Sequence, residues 1–440
     1  MIMKIFRPKL FDAFKGYNKN KFINDVVAGI IVAIIALPLS IALAIASGAE
    51  PVQGLYTAAI AGFVIAALGG SNVNISGPTA AFATIIAGVI ASNGMEGLVI
   101  ATIMAGIILI ILGICRVGSL IKYMPHTITV GFTSGVAVTI LIGQIKDFLG
   151  LTFSGEKPAV EAGEKVEAIV ESIGTFDWRS LVVGVIGLII LIGWNILASK
   201  TRGKVSLVFK KVPGSLIAVI VGILIVALTP LKCPTIGTLY ADLKGGFPIP
   251  SLPTFDLGTV VAVIPSAFSI AILAAIESLL SCVVSDNMVG DKHNSNTELI
   301  AQGAGNICSG LFGGIPATGA IARTAANVKN GGRTPIAGMI HAIIIVLFLV
   351  LLMPVAKLIP MPIIAAILFL VAYNMSEWRE FVGICKKRKV GDILVLALTF
   401  VLTIVLNLVY AIIAGIALTL VFYVIHKIKN RNEEKKNEEN

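Results

Sequence analysis

Residues Leu299 to Arg323 read LIAQGAGNICSGLFGGIPATGAIAR, and this stretch decides the fold. It carries no charge before Arg323, so it is apolar enough to sit in a bilayer. It breaks at Gly313-Gly314-Ile315-Pro316 and leaves a short helical run that must begin at membrane depth. An interrupted span of this kind leaves backbone amides unpaired, and hydrocarbon tolerates that only where protein or a bound ligand pairs them. The surrounding composition agrees. Of 440 residues, 57% are hydrophobic and 13% charged, with a mean hydropathy of +0.96, whereas soluble domains carry about 25% charge. The formal net charge of +10 lies in short blocks between apolar runs, which makes it a topology signal and not a polyanion-binding surface. No nucleic-acid partner is expected; the lipid bilayer is.

Charge-free runs recur along the chain: 26–49, 51–95, 97–115, 123–145, 181–199, 213–231, 257–276, 299–322, 334–356, 358–376 and 393–425. Two of them, 51–95 and 393–425, are long enough to cross twice, the first being broken by Gly69-Gly70-Ser71-Asn72. The expected architecture is an all-α polytopic membrane protein of about 14 segments. Val26 to Ala49 is read as a first span and not as a cleaved signal, because it exceeds a signal-peptide apolar region. Of the 34 Lys and Arg residues, all but Lys146, Lys157, Lys165, Arg179, Lys232, Lys244 and Lys357 fall on one side if the crossings number fourteen. Both termini are then cytoplasmic, in a multi-pass protein of the cell membrane.

The halves of the sequence echo one another. Ser76-Gly77-Pro78-Thr79 and Gly314-Ile315-Pro316-Ala317-Thr318 each follow a glycine-rich break and open a helical run. Pro125 and Pro362 recur at nearly the same offset, as do Ser40 with Ser278 and Ser47 with Ser285. The reading is a first repeat at 25–231 and an inverted second repeat at 232–426, seven segments each, between an N-terminal cytoplasmic segment (1–24) and a charged tail (427–440).

Paired broken helices in matching positions of two repeats point to a transport site, because their free amides and positive dipole ends meet near the midplane and favour an anion. The first break offers Gly77, Thr79 and Ala80 beside Pro78; the second offers Gly319, Ala320, Ile321, Ala322 and Arg323 after Thr318. A guanidinium at membrane depth is costly unless functional or paired. Arg323 therefore either faces the anion or snorkels to the surface with Lys329 and Arg333. Glu277 follows twenty uncharged residues, and an intramembrane carboxylate is a natural proton or sodium coupling site, with Ser278 and Ser281 adding oxygens; the alternative is a structural pair with Arg323. His341, inside a span, is expected to hydrogen-bond between helices. The five cysteines show no metal or disulfide spacing. Without a Walker A, GxSxG or GxGxxG motif, neither ATP-driven transport nor another enzyme activity has support, and no cofactor is expected beyond a coupling H+ or Na+.

The same residues resemble the SulP family of sulfate permease-like anion transporters, bacterial relatives of the prestin-type transporters. The likeness rests on Asp25-Val26-Val27-Ala28-Gly29, Ala36-Leu37-Pro38, Ile75-Ser76-Gly77-Pro78-Thr79, Asn294 to Leu299, Gly313 to Thr324 and Gly331-Gly332-Arg333-Thr334-Pro335. The resemblance implies 7+7 inverted repeats with two half-helices, and a core domain that moves against a gate domain. The anion would lie between the half-helices and the first helix, where Leu39 and Leu43 would face it. It also implies secondary-active, H+- or Na+-coupled uptake by alternating access of a small anion, sulfate or bicarbonate ahead of a dicarboxylate. A nucleobase-type permease of the related fold and a passive anion channel or exchanger are the alternatives; a homodimer is an expected assembly. Family members usually end in a cytoplasmic STAS domain, which this sequence lacks, so the regulation attributed to that domain is not carried over.

Overall fold

The computed structural model describes residues 6–121, 125–153, 159–201, 212–241, 245–405 and 410–422. The principal helices are α1 (Lys19–Ala46), α2 (Pro51–Leu68), α3 (Ala83–Ile114), α4 (His126–Leu149), the amphipathic α5 (Ala162–Glu171), α6 (Trp178–Lys200) and α7 (Gly214–Leu228). In the second half follow α8 (Leu257–Val289), α9 (Ser295–Leu311), α10 (Ile321–Lys329), α11 (Pro335–Leu351), α12 (Met361–Met375), the amphipathic α13 (Trp378–Lys386) and α14 (Val390–Val405). The last is α15 (Tyr410–Phe422). Two strands, β1 (Ser76–Gly77) and β2 (Thr318–Gly319), lie in the two glycine-rich breaks.

Among the described residues, seven helices are long and apolar enough to cross a bilayer, and four more are shorter but apolar. The second limb of α3, beyond a break at Gly94 with φ of 66°, together with α9 and the half-helix α10, completes the expected set of about fourteen. The run 51–95 divides as predicted into α2 and, past β1, the first limb of α3. The run 393–425 divides into α14 and α15. One run is longer than its charge-free part suggests: α8 passes through Glu277 and continues to Val289. The charged tail, 427–440, lies outside the described residues. Helix α1 starts inside the N-terminal segment, where Asn18 accepts from the amide of Lys21 as a side-chain cap.

Packing divides the helices into two bundles. In one, α3 packs on α8 and α9, α2 on α9 and α11, and α10 on α8 and α1; in the other, α4 packs on α12 and α14, and α6 on α7 and α12. The principal links between them run from α1 to α7 and α12. This is a core-and-gate division in which the core bundle holds both breaks. An alanine-rich interior lets its helices approach closely: Ala33, Ala36, Ala42, Ala44, Ala58 and Ala59 are all buried in a single apolar cluster, as expected where association depends on backbone proximity and dispersion.

The tightest approach is between α1 and α2. A Cβ added at Gly54 would stand 2.0 Å from the Ser40 carbonyl oxygen, and no rotamer relieves a clash with backbone. Gly54→Ala is therefore expected to cost about 1–3 kcal/mol of stability through overpacking. Gly88→Ala, where an added Cβ meets nothing within 4 Å, is expected to be neutral or to gain up to about 1 kcal/mol from helix propensity. Thermal melting of the detergent-purified variants measures both, and a Gly54→Ala protein melting with the wild type would refute the packing argument.

Candidate anion site

The two breaks meet. Strand β1 pairs antiparallel with β2, Ser76 opposite Gly319 and Gly77 opposite Thr318, so amides that would be orphaned in a membrane satisfy one another. The Ala320 amide adds a bond to the Ile75 carbonyl at 2.8 Å. Each break is also clamped by side chains. Asn306 donates to the Ala317 carbonyl at 2.9 Å and accepts from the Ala317 amide at 2.8 Å. Thr57 accepts from the Ile315 amide at 2.7 Å. Asn327 donates to the Val73 carbonyl at 2.9 Å.

Beneath the strands lies a buried polar network that the sequence reading passed over. Glu298, fully buried, accepts from the Gly70 amide (2.9 Å), Asn74 Nδ2 (2.8 Å) and Gln302 Nε2 (3.0 Å). Asn74 Oδ1 accepts from Ser281 (2.7 Å) and Thr324 (3.0 Å), and Thr324 in turn accepts from the Ile75 amide (3.0 Å). Gln302 also donates to Ser76 Oγ at 2.9 Å. A signal for this network was present: Glu298, Gln302 and Asn306 recur every four residues and so share one helix face. Glu298 alone reads as an ordinary acidic residue in the first turn of α9.

The predicted residues divide into three groups. The first converges on the breaks. Arg323 is buried, with 1% of its surface exposed, which rules out snorkelling beside Lys329. Its Nη2 donates to the Pro78 carbonyl, tying the second break to the first. Its Nε and Nη1 have no hydrogen-bond partner among the described residues, and Nη1 lies where a side chain at Gly77 would be, 2.6 Å from an added Cβ. Glu277 accepts from Thr79 Oγ1 at 3.0 Å. It forms no ion pair with Arg323 among the described residues, although the two charges act on one another. Gly77 and Gly319 are buried in the strand pair, Ala80 and Ala320 are buried next to it, and Ile321 and Ala322 are exposed in the first turn of α10.

The second group lies on α1. Leu43 is buried in the apolar cluster that contains Ala80 and Phe82, and the half-buried Leu39 packs against that cluster. The third group is engaged in structure. Ser278 Oγ lies 2.7 Å from Thr318 Oγ1 and accepts from the Gly319 amide at 3.0 Å. Ser281 is held by Asn74. Both hydroxyls thus hold the strand pair in place, in addition to any contact with a cation. His341 departs from expectation: it is fully buried, and neither ring nitrogen has a hydrogen-bond partner among the described residues.

A sequence model of the sulfate permease family matches residues 22–399. The chain belongs to that family. Among its curated relatives, the putative sulfate transporter YvdB of Bacillus subtilis (strain 168) is 42% identical over 416 residues, covering 93% of this chain and 75% of that protein. The bicarbonate transporter BicA of Picosynechococcus is 31% identical over 433 residues, covering 95% and 73%. In structure, the chain is similar to the transmembrane domain of a cyanobacterial BicA, with a TM-score of 0.77 at 28% identity over 90% of this chain and 98% of that one. It also shares the fold of SLC26A9, with a TM-score of 0.86 at 21% identity over 97% of this chain and 68% of that one. These similarities place the sulfate permease chain among multi-pass anion transporters and not among enzymes. What it shares with the solved structures is a fold of many apolar helices.

Glu298 is the most heavily used acceptor of the site. Glu298→Ala takes the acceptor from the Gly70 amide and Asn74 Nδ2 and leaves Gln302 Nε2 with Ser76 alone, each unmet donor costing about 1–3 kcal/mol. It is expected to prevent recovery of monodisperse protein, while Glu298→Gln, which keeps one carbonyl oxygen, gives folded protein with a depressed melting temperature. Gel filtration and melting of the two variants decide this, and an Ala variant as stable as wild type would remove the network from the account.

Proposed function

We propose that this chain carries a small inorganic anion, sulfate or bicarbonate, into the cell by alternating access, with a proton or sodium ion coupled through Glu277. The carrying observation is the pairing of the two breaks around a buried guanidinium with two uncommitted donors. Arg323 offers Nε and Nη1, and the start of α10 adds amide dipoles of the same sign. Fixed, desolvated donors of this kind favour an anion, and Gly77 leaves the backbone open beside them. The names of the curated relatives support both sulfate and bicarbonate as cargo.

Glu277 stands on the same assembly. Its bond to Thr79 joins α8 to the first break, so occupancy of the carboxylate by a proton or sodium ion alters the charge and hydrogen bonding next to the anion. A cation there offsets the charge of the incoming anion, which is the physical basis of symport. The core bundle, stapled by the strand pair, would move as one body past the gate formed by α4, α6, α7, α12 and α14, with repeats 25–231 and 232–426 supplying matched halves. Both termini are assigned to the cytoplasm on the distribution of Lys and Arg, and a homodimer is the assembly we favour.

Uptake of labelled sulfate and bicarbonate into proteoliposomes under imposed proton or sodium gradients tests this reading. Accumulation against a concentration gradient is expected, which a channel cannot achieve. Arg323→Gln is expected to weaken anion binding more than tenfold, and normal binding by that variant would take Arg323 out of the site. Glu277→Gln is expected to abolish gradient dependence; unchanged dependence would end the coupling role. Orientation has its own test. Cys115 is exposed at the end of α3, and in a variant keeping only this cysteine an impermeant maleimide should label inverted vesicles and not right-side-out cells. The reverse pattern would overturn the topology.

A further inference from the structure

His341 and Arg323 pose one problem between them. Both are buried, one with 0% and the other with 1% of its surface exposed, and together they present four nitrogen atoms without a hydrogen-bond partner among the described residues: Nε and Nη1 of Arg323, Nδ1 and Nε2 of His341. Native structures rarely leave such groups unmet, because each costs its full desolvation penalty. The two lie on adjoining elements. Gly338, one helical turn before His341 on the same face of α11, stands against the lead-in to β1: an added Cβ there would be 3.5 Å from Ile75 and 3.8 Å from the Asn74 carbonyl oxygen. Arg323 Nη1 reaches the end of the same strand at Gly77. The charge of Arg323 also acts on the His341 ring.

The chemistry is complementary. A guanidinium has donors only, and a neutral imidazole has one acceptor nitrogen. The charge of Glu277 acts on the guanidinium, but no ion pair joins the two among the described residues: Glu277 accepts from Thr79, and Glu298 accepts from three neutral donors. We infer that His341 is a positioning residue whose neutral ring accepts an Arg323 N–H when no anion is bound, so that the ring and the transported anion compete for the same donors. The pairing gives the carrier a neutral stand-in for its cargo. Pro78 satisfies only Nη2, and a second acceptor lowers the cost of a buried guanidinium in a carrier without cargo.

The inference rests on the reading of Arg323 as an anion ligand, and it makes a prediction of unusual sign. Removing a competitor should tighten binding, whereas loss of a direct ligand or general damage to the fold should weaken it. The experiment is equilibrium binding of sulfate and of bicarbonate to the purified full chain in detergent, using wild type, His341→Leu, His341→Gln and Arg323→Gln, with melting temperatures recorded for each. His341→Leu is expected to fold, since exchanging an unpartnered buried polar group for an apolar one is not destabilising in itself. It is expected to bind anion about three- to tenfold more tightly, and His341→Gln, which keeps an acceptor oxygen, to stay within about twofold of wild type. Unchanged or weaker binding by His341→Leu, with Arg323→Gln still defective, overturns the inference and leaves the anion site standing. Normal binding by Arg323→Gln overturns the site itself. If His341→Leu fails to fold while His341→Gln folds and binds more than about threefold differently from wild type, the acceptor role is likewise rejected.

Discussion

The structure depends on four residues of backbone, Ser76-Gly77 against Thr318-Gly319. In hydrocarbon an unpaired peptide group costs several kcal/mol, so a helix can start mid-membrane only if something pairs the amides and carbonyls of the segment leading to it. Each break solves this for the other. Most of the buried polar chemistry of the core bundle serves the same end: Thr57, Asn306 and Asn327 clamp the approach to each strand, and Glu298, Asn74 and Gln302 form a floor beneath them. Arg323 closes the assembly from above through the carbonyl of Pro78.

This explains why the functional groups are where they are. Once the strands satisfy each other, the amides at the start of α10 and two donors of Arg323 are left over, in a place already desolvated by its neighbours. Charge there is poorly screened and interacts strongly with whatever binds. The glycines keep the surface low. The carboxylate of Glu277, fastened to Thr79, makes no ion pair with Arg323 among the described residues, so in the proposed function anion and cation would not occupy the same atoms.

Much of this was legible in the sequence where the signal was local. The break at Gly313 to Pro316 and its counterpart at Gly69 to Asn72 stand out because glycine and proline interrupt long charge-free runs. Arg323 and Glu277 stand out because charge at membrane depth is rare. What was not legible depends on residues far apart in the chain. Asn74 has no meaning until Ser281, Glu298 and Thr324 are placed around it, and the bond from the Gly319 amide to Ser278 joins residues 41 positions apart. The far end of α8 was hidden because Glu277 ends the apolar run while the helix continues. Helices α5 and α13 were hidden because their short, charged sequences resemble loops. His341 reads as interhelical glue, and only the packed structure shows both its ring nitrogens without a partner among the described residues.

The strand pair also governs how the protein is made. The bond between Asn74 and Thr324 closes a loop of 250 residues, and β1 is synthesised long before β2. Until the second half of the chain is inserted, the first break has no backbone partner and must wait where water, lipid headgroups or the translocation machinery can satisfy it. Contacts of such long range are late and slow to form. The strand pair is complete only when both halves of the chain are present, and a chain that carries it has, by that fact, assembled them.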